Sequence, residues 1–148
     1  MGCDIHIVLE QKDDQTGDWH TVIDFNQLPR DMLTMRNYVY FTFIAGVRNY
    51  DVVKPMYEPR GFPDDASAYV RMQEKQWTVD WHSKSWLTPY ELRLALNAYY
   101  DIENPGKMGL RWGYRDAPHE CLTDSNTERE GKKYEESPEY RFVFAFDN

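Results

Sequence analysis

Hydrophobic and polar positions alternate from the start of the chain. In Gly2-Cys3-Asp4-Ile5-His6-Ile7-Val8-Leu9-Glu10, Cys3, Ile5, Ile7 and Leu9 form one row, while Asp4, His6, Val8 and Glu10 form the other. A period of two predicts a strand with one buried apolar face and an opposite face of chemically capable groups. Residues 11–17 are turn-forming, and 18–24 read as a second strand, so the two make a hairpin. The same alternation closes the chain. Tyr140, Phe142, Phe144 and Phe146 share one face of a strand over 140–148 whose natural neighbour is the first strand.

Between these ends the period changes. Residues 37–47 fit two templates: Tyr40, Phe43, Ile44 and Val47 follow helical spacing, whereas Val39, Phe41 and Phe43 alternate. A helix is the preferred reading, because Gly46 followed by Arg48 suits a helix end. Pro59 and Pro63 stiffen a loop over 58–65. Asp64 or Asp65 then caps a helix through Ser67, Val70, Met72 and Gln73 to about residue 75. Thr88-Pro89-Tyr90-Glu91 opens a further helix, with a cap, a proline at the first position and a capping box, which runs through Leu92, Leu96 and Tyr99 and stops before Pro105. Residues 27–35 read as irregular, 77–86 mix polar and aromatic residues without a period, and 125–138 read as a charged surface loop. The predicted class is α+β: a single domain over 1–148 with a mainly antiparallel sheet containing both terminal strands, and two or three helices packed on one face.

Composition narrows the function classes. With 148 residues, 41% hydrophobic and 16% aromatic, the chain can bury a real core. Its 25 acidic against 17 basic side chains leave a net charge of -8, which disfavours generic binding to nucleic acid backbones. The same charge is compatible with mimicry of nucleic acid, although no dense acidic run supports it. Cys3 and Cys121 are far apart with no secretory pattern ahead of them, so the expectation is a reducing cytosol and no disulfide scaffold. No apolar run has membrane-span length. Met-Gly-Cys does not make a myristoylation site, because His6 stands where Ser or Thr is wanted.

The chemistry-bearing residues suggest several sites, each with a plain alternative. Asp4 and His6, with His82 and one of Asp64, Asp65 or Asp80, have the ligand types for Zn, Mn or Fe, Asp65 being the preferred fourth member. His82, Glu10 and Glu58 are then candidate acid–base groups. The alternative is that Asp4 and His6 only hydrogen-bond to neighbouring loops. Cys3-x-x-His6 with His119-x-Cys121 gives a second metal set, weakened because Cys3 and His6 point to opposite faces of a regular strand. Ser83 and Ser85, in His82-Ser83-Lys84-Ser85 just before a helix start, together with Arg60 and Arg48, suit a phosphate; the alternative is a solvated cap. Trp77, Trp81 and Trp86 are able to stack a base, or equally to pack a core. The basic and aromatic residues of 107–115 suit an acidic partner or a solvated loop.

Met1-Gly2-Cys3-Asp4-Ile5-His6, Ala45-Gly46-Val47-Arg48-Asn49, Glu58-Pro59-Arg60-Gly61, Pro63-Asp64-Asp65-Ala66-Ser67, His82-Ser83-Lys84-Ser85-Trp86-Leu87-Thr88 and Phe144-Ala145-Phe146-Asp147-Asn148 together resemble a group of small uncharacterised proteins from tailed bacteriophages and prophages. The resemblance spans nearly the whole chain and implies a phage origin and a compact layout, but no reaction. Two function classes follow as expectations. One is a metal-dependent hydrolase or a protein that binds a nucleotide or another phosphorylated small molecule. The other is a non-catalytic accessory protein that acts by binding a host protein.

Overall fold

The computed structural model describes residues 2–29, 32–50, 54–77, 80–103 and 139–148. Four strands form one antiparallel sheet: β1 (Asp4–Lys12), β2 (Trp19–Asp24), β3 (His82–Leu87) and β4 (Tyr140–Asp147), in the order β2-β1-β4-β3. Among the described residues three α-helices accompany them, α1 (Tyr38–Ala45), α2 (Ala68–Gln76) and α3 (Pro89–Glu103). The α+β class and the pairing of the two terminal strands are as the alternation predicts. The elements gather into two compact units, one holding the sheet with α2 and the other holding α1 and α3. Among the described residues no helix is long and apolar enough to cross a membrane.

In the sheet unit, β1 pairs with β4 over eight residue pairs, from Asp4 with Asp147 to Gln11 with Tyr140. That register stacks the two apolar rows on one face. Cys3, Ile5, Ile7, Leu9, Phe142, Phe144, Phe146 and Leu87 are all buried there, with Phe25 against Phe142. The opposite face carries Asp4, His6, Val8 and Glu10 beside Arg141, Val143, Ala145 and Asp147. Helix α2 covers part of this second face, where Val8, Val70 and Val143 form a small core with Phe62, Ala66, Tyr69 and Trp86.

Strand β3 falls in the stretch for which the sequence predicts no element. Its residues, His-Ser-Lys-Ser-Trp-Leu, lack an apolar period, and pairing with the apolar β4 selects the strand. One extra residue is accommodated between His82 and Ser85, where Ser83 takes a positive φ of 51°, the signature of a bulge. β2 ends early at Asp24, and the Asn26 side chain continues the ladder in its place. Its Oδ1 accepts from the Ile7 N–H at 3.0 Å and its Nδ2 donates to the Ile5 carbonyl at 2.8 Å.

The helix starts follow local chemistry. In the second unit Asn37 caps α1, and Gly46, with φ at 67°, ends it. Thr88 and Glu91 make the reciprocal capping box predicted for α3, at 3.0 and 3.2 Å. α1 and α3 meet through Tyr40 with Tyr99 and through Asn37, whose Nδ2 donates to the Tyr99 hydroxyl. The cap of α2 differs from the expectation. Ser67 accepts from the Val70 N–H, because Asp65 is drawn away to Arg141 at 2.8 Å.

Arg141 also donates to Glu10, which is fully buried, at 2.6 Å, and the other Glu10 oxygen accepts the Ser67 N–H at 2.7 Å. Removing one member of such a buried pair leaves the other charge unpaired. Glu10→Ala should therefore lower the unfolding free energy by about 3–5 kcal/mol in chemical denaturation. A loss below about 1 kcal/mol, the range of an exposed pair, would contradict the role given to it.

Candidate functional site

The polar face of the sheet becomes a cleft at the point where β2 has stopped. His6 lies opposite Ala145, whose small side chain leaves space, and Asp24, Asn26 and Gln27 form the side beyond the end of β2. Val8, Val70, Val143 and Phe62 make an apolar floor, while Gln73, Trp77 and Trp81 close the side under α2. The cleft, partly open to solvent, has a volume of about 150 Å³. Every residue of this lining belongs to the sheet unit.

Helix α2 and the turn after it place the aromatic wall. The Trp77 N–H donates to the Gln73 carbonyl as the helix ends, and the Trp81 N–H donates to the Trp77 carbonyl at 3.1 Å. Both indoles therefore return to the same side. Their rings lie 5.3 and 5.2 Å from the His6 imidazole, tilted by 42° and 44°. Phe62 meets Trp81 edge-on at 6.0 Å.

His6 is oriented by the terminal strand. Its Nε2 lies 2.6 Å from Asp147 Oδ2, and Asp147 Oδ1 accepts the Asp4 N–H at 3.2 Å. A carboxylate held on one ring nitrogen fixes the ring and sets which nitrogen carries the proton. The other nitrogen, Nδ1, has no partner among the described residues.

A second polar group, Asp24, borders the same space and is held from outside the lining by Tyr69. Tyr69 donates from its hydroxyl to Asp24 Oδ2, while Asp24 Oδ1 accepts the Asn26 N–H at 3.0 Å. The hydrogen bond to Asp24, followed by burial and the carboxylate charge, pushes the Tyr69 phenol up to about 12. Asp24 pairs with Val8 in the ladder, so it is diagonal to His6 across the strands, at about 7–8 Å between Cα atoms.

The residues singled out from sequence do not gather as a metal centre. Asp4 is gripped by Arg36, whose Nε and Nη2 both lie at 2.8 Å; this hydrogen bond, against the burial that opposes it, holds its carboxyl below the usual 3.8. Asp65 also sits below 3.8: burial raises it, and the Arg141 hydrogen bond and charge more than offset that. His82 pairs in register with Phe146 and stacks on its ring, which puts it on the apolar face of the sheet, opposite to His6. Its ring nitrogens reach Ser83 and Asn148. Among the described residues no three His, Cys, Asp or Glu side chains converge on one point.

The other named residues are similarly dispersed. Glu10 is committed to Arg141 and Ser67 in the interior and does not face the cleft. Ser83 and Ser85 stand on β3, which precedes α3 in the chain, and Ser85 is buried, accepting the Arg60 N–H at 3.0 Å. The Arg60 guanidinium lies 4.8 Å over Trp86 and donates to its carbonyl. Lys84 is paired with Glu74 at 3.0 Å, and Asp64 and Asp80 are exposed. Arg48, which donates to the Tyr50 hydroxyl, and the exposed Glu58 belong to the other unit. His119, Cys121 and residues 107–115 and 125–138 lie outside the described residues.

Sequence reasoning passed over Asp147, Asp24, Tyr69 and Gln73. Asp147 had a signal, since a terminal strand paired with the first brings its polar face beside His6. The others depend on where β2 stops and how α2 lies, which no local pattern reports. No family model, curated protein or solved structure matches the chain.

The Tyr69 shift makes a prediction about alkaline stability. A group whose pKa rises on folding contributes stability in full below its unfolded value of 10.0, and that contribution is lost as pH rises towards 12. Wild-type protein should therefore lose stability between pH 10 and 12 more steeply than Tyr69→Phe, measured by denaturation at a series of pH values. Parallel curves for the two proteins would contradict the placement of the phenol.

Proposed function

We propose that the chain is a small-molecule binding protein whose cleft takes one flat heteroaromatic ring, of the size and chemistry of a nucleobase. The carrying observation is the His6 imidazole, held by Asp147 and flanked by Trp77 and Trp81, on the wall of a space of about 150 Å³. A cavity of roughly 150 Å³ accommodates one benzene-sized molecule, so the enclosed part of the ligand is a single ring. Indole walls favour a planar π system. The polar groups of His6, Asp24 and Gln73 favour ring nitrogens and carbonyls over plain hydrocarbon. Trp77, 39% exposed, marks the solvent side, towards which a sugar or phosphate substituent would extend.

Binding is preferred to covalent catalysis for a chemical reason. None of the described lining residues is Ser, Thr or Cys, so the oriented imidazole has no hydroxyl or thiol to activate. The reading uses the nucleotide-binding half of the sequence expectation and assigns no part to a metal. The resemblance to small phage proteins supports the bacterial cytoplasm as its place of action.

Titration with uracil, cytosine and nicotinamide, followed by tryptophan fluorescence, tests the proposal. At least one should quench saturably with a Kd of about 1 mM or tighter, corresponding to roughly -4 kcal/mol. His6→Ala should weaken that binding at least about tenfold, or roughly 1.4 kcal/mol. Absence of saturable quenching by all three would overturn it.

A further inference from the structure

Asp24 is, among the described residues, the carboxylate of this sheet face without a basic partner. Its register with Val8 turns it to the same side of the sheet as His6, where it borders the cleft. The other carboxylates of that face each lie against a base: Asp4 on Arg36, Glu10 on Arg141 and Asp147 on His6. Asp24 instead accepts from two neutral donors, the Tyr69 hydroxyl and the Asn26 N–H, which leave its charge in place. None of the described lining residues is Lys or Arg. Lys84, whose Nζ lies 5.6 Å over the Phe62 ring, is paired with Glu74 and stands outside the lining. The sign of the charge at the cleft is the same for both forms of His6. A protonated imidazole is cancelled by Asp147, and Asp24 remains; a neutral one leaves both carboxylates.

We infer that the cleft selects a ring that carries positive charge, such as an N-alkylpyridinium or a protonated aminopyrimidine, over a neutral ring of the same kind. This deepens the ring-binding reading and rests on it. Asp24 supplies the counter-charge, beside an apolar floor that keeps part of the screening water away. An indole wall that takes a neutral ring takes a cationic one more strongly, because the π system attracts positive charge. The net charge of -8 adds a field of the same sign over the whole chain. An anionic ring meets Asp24 as a like charge and is repelled.

Three probes on one ring test the inference: 1-methylnicotinamide, nicotinamide and nicotinate, respectively cationic, neutral and anionic, titrated into the full chain by calorimetry or fluorescence. The expected order is cation, neutral ring, anion, with 1-methylnicotinamide at least about tenfold tighter than nicotinamide. Asp24→Asn keeps the shape of the side chain and removes the charge, and it should weaken 1-methylnicotinamide about tenfold while leaving nicotinamide within about twofold. Wild-type affinity that is equal for the cation and the neutral ring, or highest for nicotinate, overturns the charge selection and leaves the ring-binding reading standing. An equal loss for 1-methylnicotinamide and nicotinamide in Asp24→Asn overturns the role of Asp24. Failure of all three probes overturns the inference, and the ring-binding reading falls with it only if uracil and cytosine also fail. The wild-type comparison decides the matter even if Asp24→Asn does not fold.

Discussion

The ion pair between Glu10 and Arg141 is the constraint on which the sheet unit depends. One guanidinium serves Glu10 on the neighbouring strand and both the carboxylate and the carbonyl of Asp65, and it lies 3.8 Å over the Trp19 ring. Glu10 in turn fixes the backbone of Ser67, the residue that caps α2. Two charges in the interior are tolerable only when their hydrogen-bonding capacity is used, and here it is used to join β1, β2, β4 and the start of α2. The pair therefore sets position more than it adds net stability.

That anchoring point explains where the cleft lies. From Ser67 to Trp77 an α-helix advances by about 15 Å, at 1.5 Å per residue. From Glu10 back to His6 a strand covers about 13 Å, at 3.3–3.4 Å per residue. With the cap of α2 tied to Glu10, the far end of the helix arrives over His6, and its indoles meet the imidazole there. The early end of β2 leaves that part of the sheet face uncovered, and Asn26 satisfies the backbone groups that β2 would otherwise have paired. An opening in the sheet is thus obtained with the Ile7 N–H and the Ile5 carbonyl still paired.

The two faces of β1 divide the work. Cys3, Ile5, Ile7 and Leu9 are packed against β4 and its neighbours and leave no room for chemistry. On the other face, polar groups sort by depth: Glu10 is sealed in a structural network, His6 borders a cavity, and Asp4 lies at the surface with Arg36. Residues of similar type on one strand face have different roles because the cover above them differs. The acid-sensitive contacts follow the same layout. Burial opposes ionisation of Glu74, and Lys84 and Arg71 reverse that and lower its pKa, so its contribution is complete above 4.5 and lost as pH falls through the lowered value.

The sequence by itself determined the elements whose causes are local. Alternation gave β1, β2 and β4 and their faces, the Thr88 to Glu91 box gave the start of α3, and Gly46 gave the end of α1, because strand period, cap and left-handed glycine are all encoded within a few residues. It also drew attention to His6, through its place in the polar row. Only the tertiary structure decided the partners. His6 meets Asp147 and two indoles rather than His82, since the β3 register turns His82 to the opposite face. β3 itself, the transfer of Asp65 from helix cap to Arg141, and the end of β2 that opens the cleft all depend on groups distant in sequence. Side-chain periodicity states which way a residue points, but long-range packing chooses what stands in front of it.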